Sequence, residues 1–320
     1  MKNNFKLCLL ALLSVILSQT VYSQKTYYLG KGDSLYNSLP VHRGKVQWQY
    51  SNDNGSTWNN YQGSSSTKDN YGVSISGDIK IRAKVTEGTC DIYSDTTSVY
   101  TTVSDYDGNK YKVKKIGKQV WMTENLRTSY YSDGNVIPLV SDNSQWKSLQ
   151  SDAYCYRNND KDSSVYYGFI YNGYAAIHKN LCPQGWIVPA SADWEVLSNY
   201  LIAKGFGYGG SGDEIAKSLS AVNLAAYQAV TWTNSTVDGA PGNNVKLNNY
   251  SGFNGLPIGY RDENGNYGGF SLYANWWVNY VDKDGYSKGV TISYDQAILP
   301  SFLTNITSPN FGMSVRCIKQ

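Results

Sequence analysis

The sequence predicts a mainly β chain in two parts, a short β-sandwich followed by a larger α+β domain. Three observations predict it. The chain has 320 residues, and at roughly 150 residues per domain that is about two domains. Thirty Gly and 29 Tyr stand against 3 Met and 8 Pro; aromatics favour strands and Gly favours turns. Short alternating segments before residue 104 give way to a different texture after it, with one clear helical period.

Residues 1–23 read as a secretory leader rather than as structure. Lys2 and Lys6 precede an apolar run from Leu7 to Leu17, and small or polar residues follow to Ser23. The run is about 11 residues, too short to span a bilayer. Cys8 lies at its start, whereas a lipid-anchor cysteine follows the run, so Cys8 is not read as one. No later stretch reaches membrane-spanning length. The mature chain is therefore expected to be exported, extracellular or at the cell surface, with no membrane span.

Composition excludes several function classes. Hydrophobic residues make up 41% and charged residues 17% of the chain, which suits a globular core and not a disordered coil. The net charge of +3 falls to +1 once the leader's two lysines are gone, so no basic field exists for nucleic acid. Two His residues leave little for a metal site or a proton relay. No CxxC or Cys/His cluster marks zinc. No cofactor and no metal are expected.

Residues 24–103 carry strands at regular spacing. Lys45 to Tyr50 alternates, with Val46, Trp48 and Tyr50 on one face. Ile79 to Val85 alternates again, with Ile79, Ile81, Ala83 and Val85 inward. Tyr93 to Val103 is rich in Thr, Tyr and Val. Gly, Asn and Ser turns separate them, the pattern of a β-sandwich. Through WQYSNDNGSTW followed by IKIRAKVTEGTC, the segment resembles the small immunoglobulin-like domains of exported bacterial surface proteins. Ser51 to Trp58 also matches the SxDxGxTW pattern of an Asp-box. A single copy argues for a braced hairpin and against a propeller.

From Asp105 onward, DYDGN supplies a tight turn. Position 12 of a calcium loop counted from Asp105 is Ile116, which cannot ligate, so a hairpin is the better reading. Val113 to Ile116 and Gln119 to Met122 form a hairpin turned at Gly117. Residues 172–181 suggest a short helix, and Gly185 to Val188 a strand stopped by Pro189. Ser191 is a plausible N-cap for a helix from Ala192 to Leu201, with Trp194, Leu197 and Leu201 on its apolar face. The final MSVRCIK alternates, with Met313, Val315 and Cys317 on one face and Arg316 on the other.

Five strings then occur in order: DYDGNKYKVKKIGKQVWMTENLRTSYYSDGNVIP, AYCYRNND, YGFIYNGYAAIHKNLCPQGWIVPASADWEVLSNYL, SGFNGLPIGYRDENGNYGGFSLYANWWVNY and FGMSVRCIK. Together they make residues 105–320 resemble the Fibrobacter succinogenes major paralogous domain, found in exported proteins of Fibrobacter and Bacteroidetes. Ile187 stands where that family often has His, and Val278-Asn279-Tyr280 where it often has Ser-Ser-Thr. The resemblance implies a remote C-type-lectin-like fold. It also implies a disulfide between Cys182 and Cys317. Cys90 and Cys155 lie in different domains and are expected to stay unpaired. By residue pattern alone, the four mature cysteines allow three pairings.

Few residues suggest chemistry. Asp193, Glu195, Asp213 and Glu214 read more cheaply as caps and surface than as a glycosidase pair. His178 lacks a GxSxG partner and reads as a surface histidine. The Gly-rich GFGYGGSGDE lacks the Gly-Lys-Ser/Thr ending of a phosphate loop and reads as a flexible loop. No EPN, QPD or WND string supports a calcium lectin site. What remains is an aromatic segment: Tyr260, Tyr267, Phe270, Tyr273, Trp276, Trp277 and Tyr280, with Arg261 beside it. Packing explains it first, with one tryptophan inward and one outward and Arg261 in an ion pair. If glycan or a cell-surface protein is bound, the candidate ligand contacts are Tyr260, Arg261, Tyr267, Tyr273, Trp276, Trp277 and Tyr280. The functional expectation is non-enzymatic binding, with an exported polysaccharide-acting enzyme or a purely structural surface component as alternatives.

Overall fold

The computed structural model describes residues 26–30, 34–39, 42–53, 55–63, 66–74, 78–222, 231–281, 287–299, 304–306 and 308–320. The expected leader lies outside them. The chain is mainly β, with several sheets, and divides into two compact units, Met1–Thr102 and Val103–Gln320. No helix among the described residues is long and apolar enough to cross a membrane.

In the first unit the strands are β1 (Thr26–Gly30), β2 (Ser34–Ser38), β3 (Lys45–Ser51), β4 (Asn59–Asn60), β5 (Asn70–Ser74), β6 (Ile79–Glu87), β7 (Cys90–Tyr93) and β8 (Thr97–Ser104). β6 is the hub. It pairs antiparallel with β3 on one side and with β7 and β8 on the other, and β1 joins β8 in parallel. β2 and β5 form a separate two-stranded sheet. Both sheets contribute to one core, in which Leu35, Tyr71 and Val73 meet Val46, Trp48, Ile81, Ala83, Val85 and Val99. The alternation read from β3 and β6 is seen at Val46, Trp48, Ile81, Ala83 and Val85, while Tyr50 and Ile79 are only half-buried.

The Asp-box is a braced hairpin. The Asp53 carboxylate accepts from Thr57 N at 2.8 Å, Thr57 Oγ1 at 2.5 Å and Ser51 Oγ at 2.7 Å. Bonds from Thr57 and Ser51 hold this exposed acid down at about 2, because they favour its ionised form.

The second unit opens with β9 (Lys110–Ile116) and β10 (Gln119–Met122), a hairpin turned at Gly117, whose φ of +63° suits glycine. β11 (Tyr154–Cys155), β12 (Ile170–Asn172) and β13 (Trp186–Ile187) follow, then β14 (Tyr260–Arg261), β15 (Tyr267–Gly268), β16 (Tyr273–Val281), β17 (Ser287–Ser293), β18 (Thr304–Ile306), β19 (Gly312–Met313) and β20 (Ile318–Lys319). β9 and β10 lead into β20 and β13; β11, β12, β19, β14 and β15 make a five-stranded sheet; β16, β17 and β18 make a third. The DYDGN acids serve the turn. Asp105 accepts from Asn109 N at 2.9 Å, and Asp107 from Ser129 N at 2.6 Å.

Among the described residues five helices sit among these strands: α1 (Asn143–Lys147), α2 (Ser164–Tyr167), α3 (Gly173–Ala176), α4 (Ser191–Ala203) and α5 (Ala216–Leu219). α4 buries Trp194, Leu197 and Leu201, the face its spacing indicates. Its cap differs from the expectation. The cap position is Ala190, and Asp193 reaches back to accept from Ala190 N at 2.8 Å. The helix expected over 172–181 is only α3, opened by Asn172. His178 beyond it is half-buried and packs against Tyr131 in a tilted pair, ring centres 4.0 Å apart.

The C-terminal alternation does not make one strand. Between β19 and β20, the Ser314 carbonyl accepts from Trp277 of β16, while those of Val315 and Cys317 accept from Leu126 just past β10 and Met122 at its end. Such a path has no free face, and Arg316 is fully buried rather than outward. Cys182 and Cys317 are bonded, with Cα atoms 6.0 Å apart. Cys155 is a free, buried thiol, raised by burial. Cys90 does not stand unpaired as expected; it is disulfide-bonded.

Candidate functional site: an aromatic cleft beside a glycine-rich loop

The aromatic segment chosen from sequence is largely interior. β16 carries Ala274, Trp276 and Val278 into one core, with Trp194, Phe253 and Ile292. It carries Trp277 into another, with Tyr171, Leu181 and Val315. Both tryptophans are wholly buried, and both indole N–H groups are used: Trp276 donates to Asn125 Oδ1 at 2.9 Å, Trp277 to the Tyr171 carbonyl at 2.7 Å. The expected outward ring is therefore absent. Alternation separates two faces, and here both faces are covered by protein.

Arg261 is equally interior, and among the described residues it has no acid partner. Its guanidinium donates to Gly265 O at 2.9 Å, Val140 O at 2.7 Å, Ser141 O at 2.9 Å and Asn143 Oδ1 at 2.9 Å. Trp146 and Tyr267 cover it at 4.3 and 5.0 Å. The expected ion pair is replaced by a carbonyl cage, which pins the chain where α1 begins. The remaining candidates are half-buried. Tyr260 stacks on Phe311 at 5.1 Å. Tyr267 Oη donates to Tyr156 O at 2.9 Å, and burial raises its phenol. Tyr280 lies under Lys288 Nζ at 4.0 Å. Tyr273 packs so close to Gly269 that a Cβ there would meet its ring at 2.6 Å.

A better-formed site lies at the C-terminal end of α4. A cavity of about 380 Å³ is lined by Phe206, Tyr208, Leu247, Tyr250 and the backbone of the Gly-rich run, with Lys217 and Ser218 at its inner wall. The volume falls in the range of small-molecule sites. Tyr250 is 69% exposed and Tyr208 38%. Backbone hydrogen bonds shape the run. Phe206 N donates to Leu201 O, Tyr208 N to Glu214 O and Gly210 N to Gly207 O. A Cβ at Gly207 would collide with the Ser211 carbonyl, so this turn requires glycine.

Lys217 anchors the opposite wall. Its ammonium is buried and donates to Ala240 O at 3.1 Å, Asn244 O at 3.3 Å, Asn248 Oδ1 at 3.1 Å and the Asn243 carbonyl. Burial pushes it down to about 8. The Ser218 hydroxyl donates to Ile215 O at 2.8 Å. The inner polar groups are thus satisfied internally, and the cleft offers a ligand mainly ring faces and glycine backbone. Sequence reading passed over Lys217, because a lysine in AKSL carries no mark of burial. It found the glycines but not the turn that they build.

The model of the Fibrobacter succinogenes major domain matches residues 114–319, well over half of the chain. The chain belongs to this family. Comparison with curated proteins gives no match. The matched span of this Fibrobacter succinogenes major domain protein holds the cleft, the disulfide and both tryptophan cores.

Proposed function

We propose that this is an exported, non-enzymatic binding protein that holds a glycan in the cleft beside the Gly-rich loop. The exposed rings of Tyr208 and Tyr250 flanking a cavity of about 380 Å³ carry the reading. Sugar rings stack on flat aromatic faces, and glycine backbone lets a ligand approach closely. One acid that a hydrolase reading would recruit, Asp193, is spent on the start of α4. We read the first unit as immunoglobulin-like, supported by its two sheets around a shared core. We read the second as C-type-lectin-like, supported by the pairing of its last strand with β10 and the closing disulfide. The leader motif supports export.

A glycan array probed with the full chain tests the function. Tyr250→Ala and Tyr208→Ala should each weaken the array hits tenfold or more, and Tyr250→Ala, at a ring 69% exposed, should do so without changing the melting temperature. Hits unchanged in both variants would refute the cleft as the site.

A further inference from the structure

The outer face of the first unit holds an arginine that its own fold does not fully use. Ile81, Ala83 and Val85 of β6 point into the core, so Lys80, Arg82 and Lys84 point the other way. Arg82 Nε donates to Gln49 Oε1 on β3 at 3.0 Å, and Gln49 Nε2 donates to Asn60 Oδ1 on β4 at 2.9 Å. The guanidinium carbon lies 3.9 Å from the Trp58 ring centre and 4.0 Å from that of Tyr93. Trp58 comes from the β3–β4 hairpin and Tyr93 from β7, on opposite sides of β6. The two rings therefore clasp the guanidinium from both sides.

Trp58 is itself fixed. Its indole N–H donates to Gly55 O at 3.1 Å, inside the turn that Asp53 braces. Neighbouring acids are already committed. Asp91 pairs with Lys84 at 2.8 Å and accepts from Thr86 at 2.7 Å, and Asp53 holds Thr57 and Ser51. Among the described residues no acceptor engages Arg82 Nη1 or Nη2. Tyr93 is 47% exposed. The result is a rigid arginine with two parallel donors open, flanked by Lys80 and Lys84. Such a fork matches a carboxylate.

We propose that this face is a second binding site, for the carboxylate of a uronic-acid-bearing polysaccharide. Arg82 takes the carboxylate in bidentate fashion, and the sugar ring lies against Trp58 and Tyr93. Both edges of β6 are already paired, so an extended peptide cannot add to it as a strand. Recognition must come from side chains alone, and a uronate offers an acid and a ring face within one residue.

Calorimetry on the full chain compares oligogalacturonate, a neutral galactose oligomer of equal length, and polyglutamate. Oligogalacturonate should bind at least tenfold tighter than either. Arg82→Lys, which keeps the charge but loses the fork, should weaken it tenfold or more. Oligogalacturonate should also protect Arg82 of the unaltered chain from phenylglyoxal, a readout that needs no variant to fold. Equal binding of the neutral oligomer or of polyglutamate, no effect of Arg82→Lys in a folded protein, or no protection of Arg82 would each overturn the proposal.

Discussion

Replacing Trp276 and Trp277 by Ala, one at a time, tests whether β16 is covered on both faces. Each indole is wholly buried and each loses one hydrogen bond. Removing a buried aromatic costs about 3–5 kcal/mol from lost transfer energy and the cavity left behind. Trp277→Ala also leaves the Tyr171 carbonyl without its indole donor, and Trp276→Ala leaves Asn125 Oδ1 with Arg316 as its remaining donor at 2.8 Å. Trp277 should therefore sit at the upper end of that range. For a unit of this size about 1 kcal/mol shifts the melting temperature by about 2–4 °C, so each variant should melt roughly 6–20 °C lower. Calorimetry or urea unfolding of the oxidised protein, followed by near-ultraviolet circular dichroism, reads both. A cost below about 1 kcal/mol for either tryptophan would show that its face is open, and the two-core description would fail.

Three further outcomes follow from the same reasoning. Reducing Cys182–Cys317, or replacing both by Ser, frees residues 135 apart in sequence, so stability should fall by about 5 kcal/mol in the chain-entropy model; melting curves with and without reductant check it. Asp53 is held at about 2, below its unfolded value near 4, so its contribution is present above about pH 4 and lost as pH falls through about 2. Asp53→Asn should therefore lower the melting temperature of the first unit at pH 6 but hardly at pH 2, and an equal effect at both would refute the brace. Arg261→Lys keeps a cation but puts one nitrogen where Nε, Nη1 and Nη2 each hold acceptors, and leaving buried carbonyls unpaired costs about 1–3 kcal/mol each; faster amide exchange around residues 140–143 would report it.

Local periodicity carried the legible part of the fold. β3, β6 and α4 each have one buried face, so apolar spacing gives that face directly, as Trp48, Ile81 and Trp194 show. The Asp-box and the hairpin at Gly117 were legible because their turns need particular residues. β16 and the C-terminal segment were not. A pattern of alternation identifies two faces, but the segments that cover them come from far away in sequence. Leu181, Val315 and Phe253 close the space around the tryptophans, and nothing within β16 announces them. The cleft was hidden for a related reason. Its walls come from residues 204–210, 217–218 and 247–250, and only the first stretch has a composition that stands out.

The buried cations explain how a domain with so little regular structure holds together. Arg261, Arg316 and Lys217 are all buried, and among the described residues none of their charged groups bonds a carboxylate. Together they donate to eight main-chain carbonyls and three asparagine side chains. In helices and sheets those carbonyls would be satisfied by backbone N–H groups. In long irregular segments they face inward without partners, and each cation supplies several donors at one point. Burial pushes Arg316 down to about 9, yet its rigid fork still bridges Asn125, Phe253 and Asn254, with Phe253 and Trp276 packed on its faces. An acid in any of these cages would bind the cation more strongly but leave the carbonyls unpaired. The cations are therefore staples for loops, and Lys217 staples the loop that forms one wall of the cleft, which is why a ligand there meets a preformed surface.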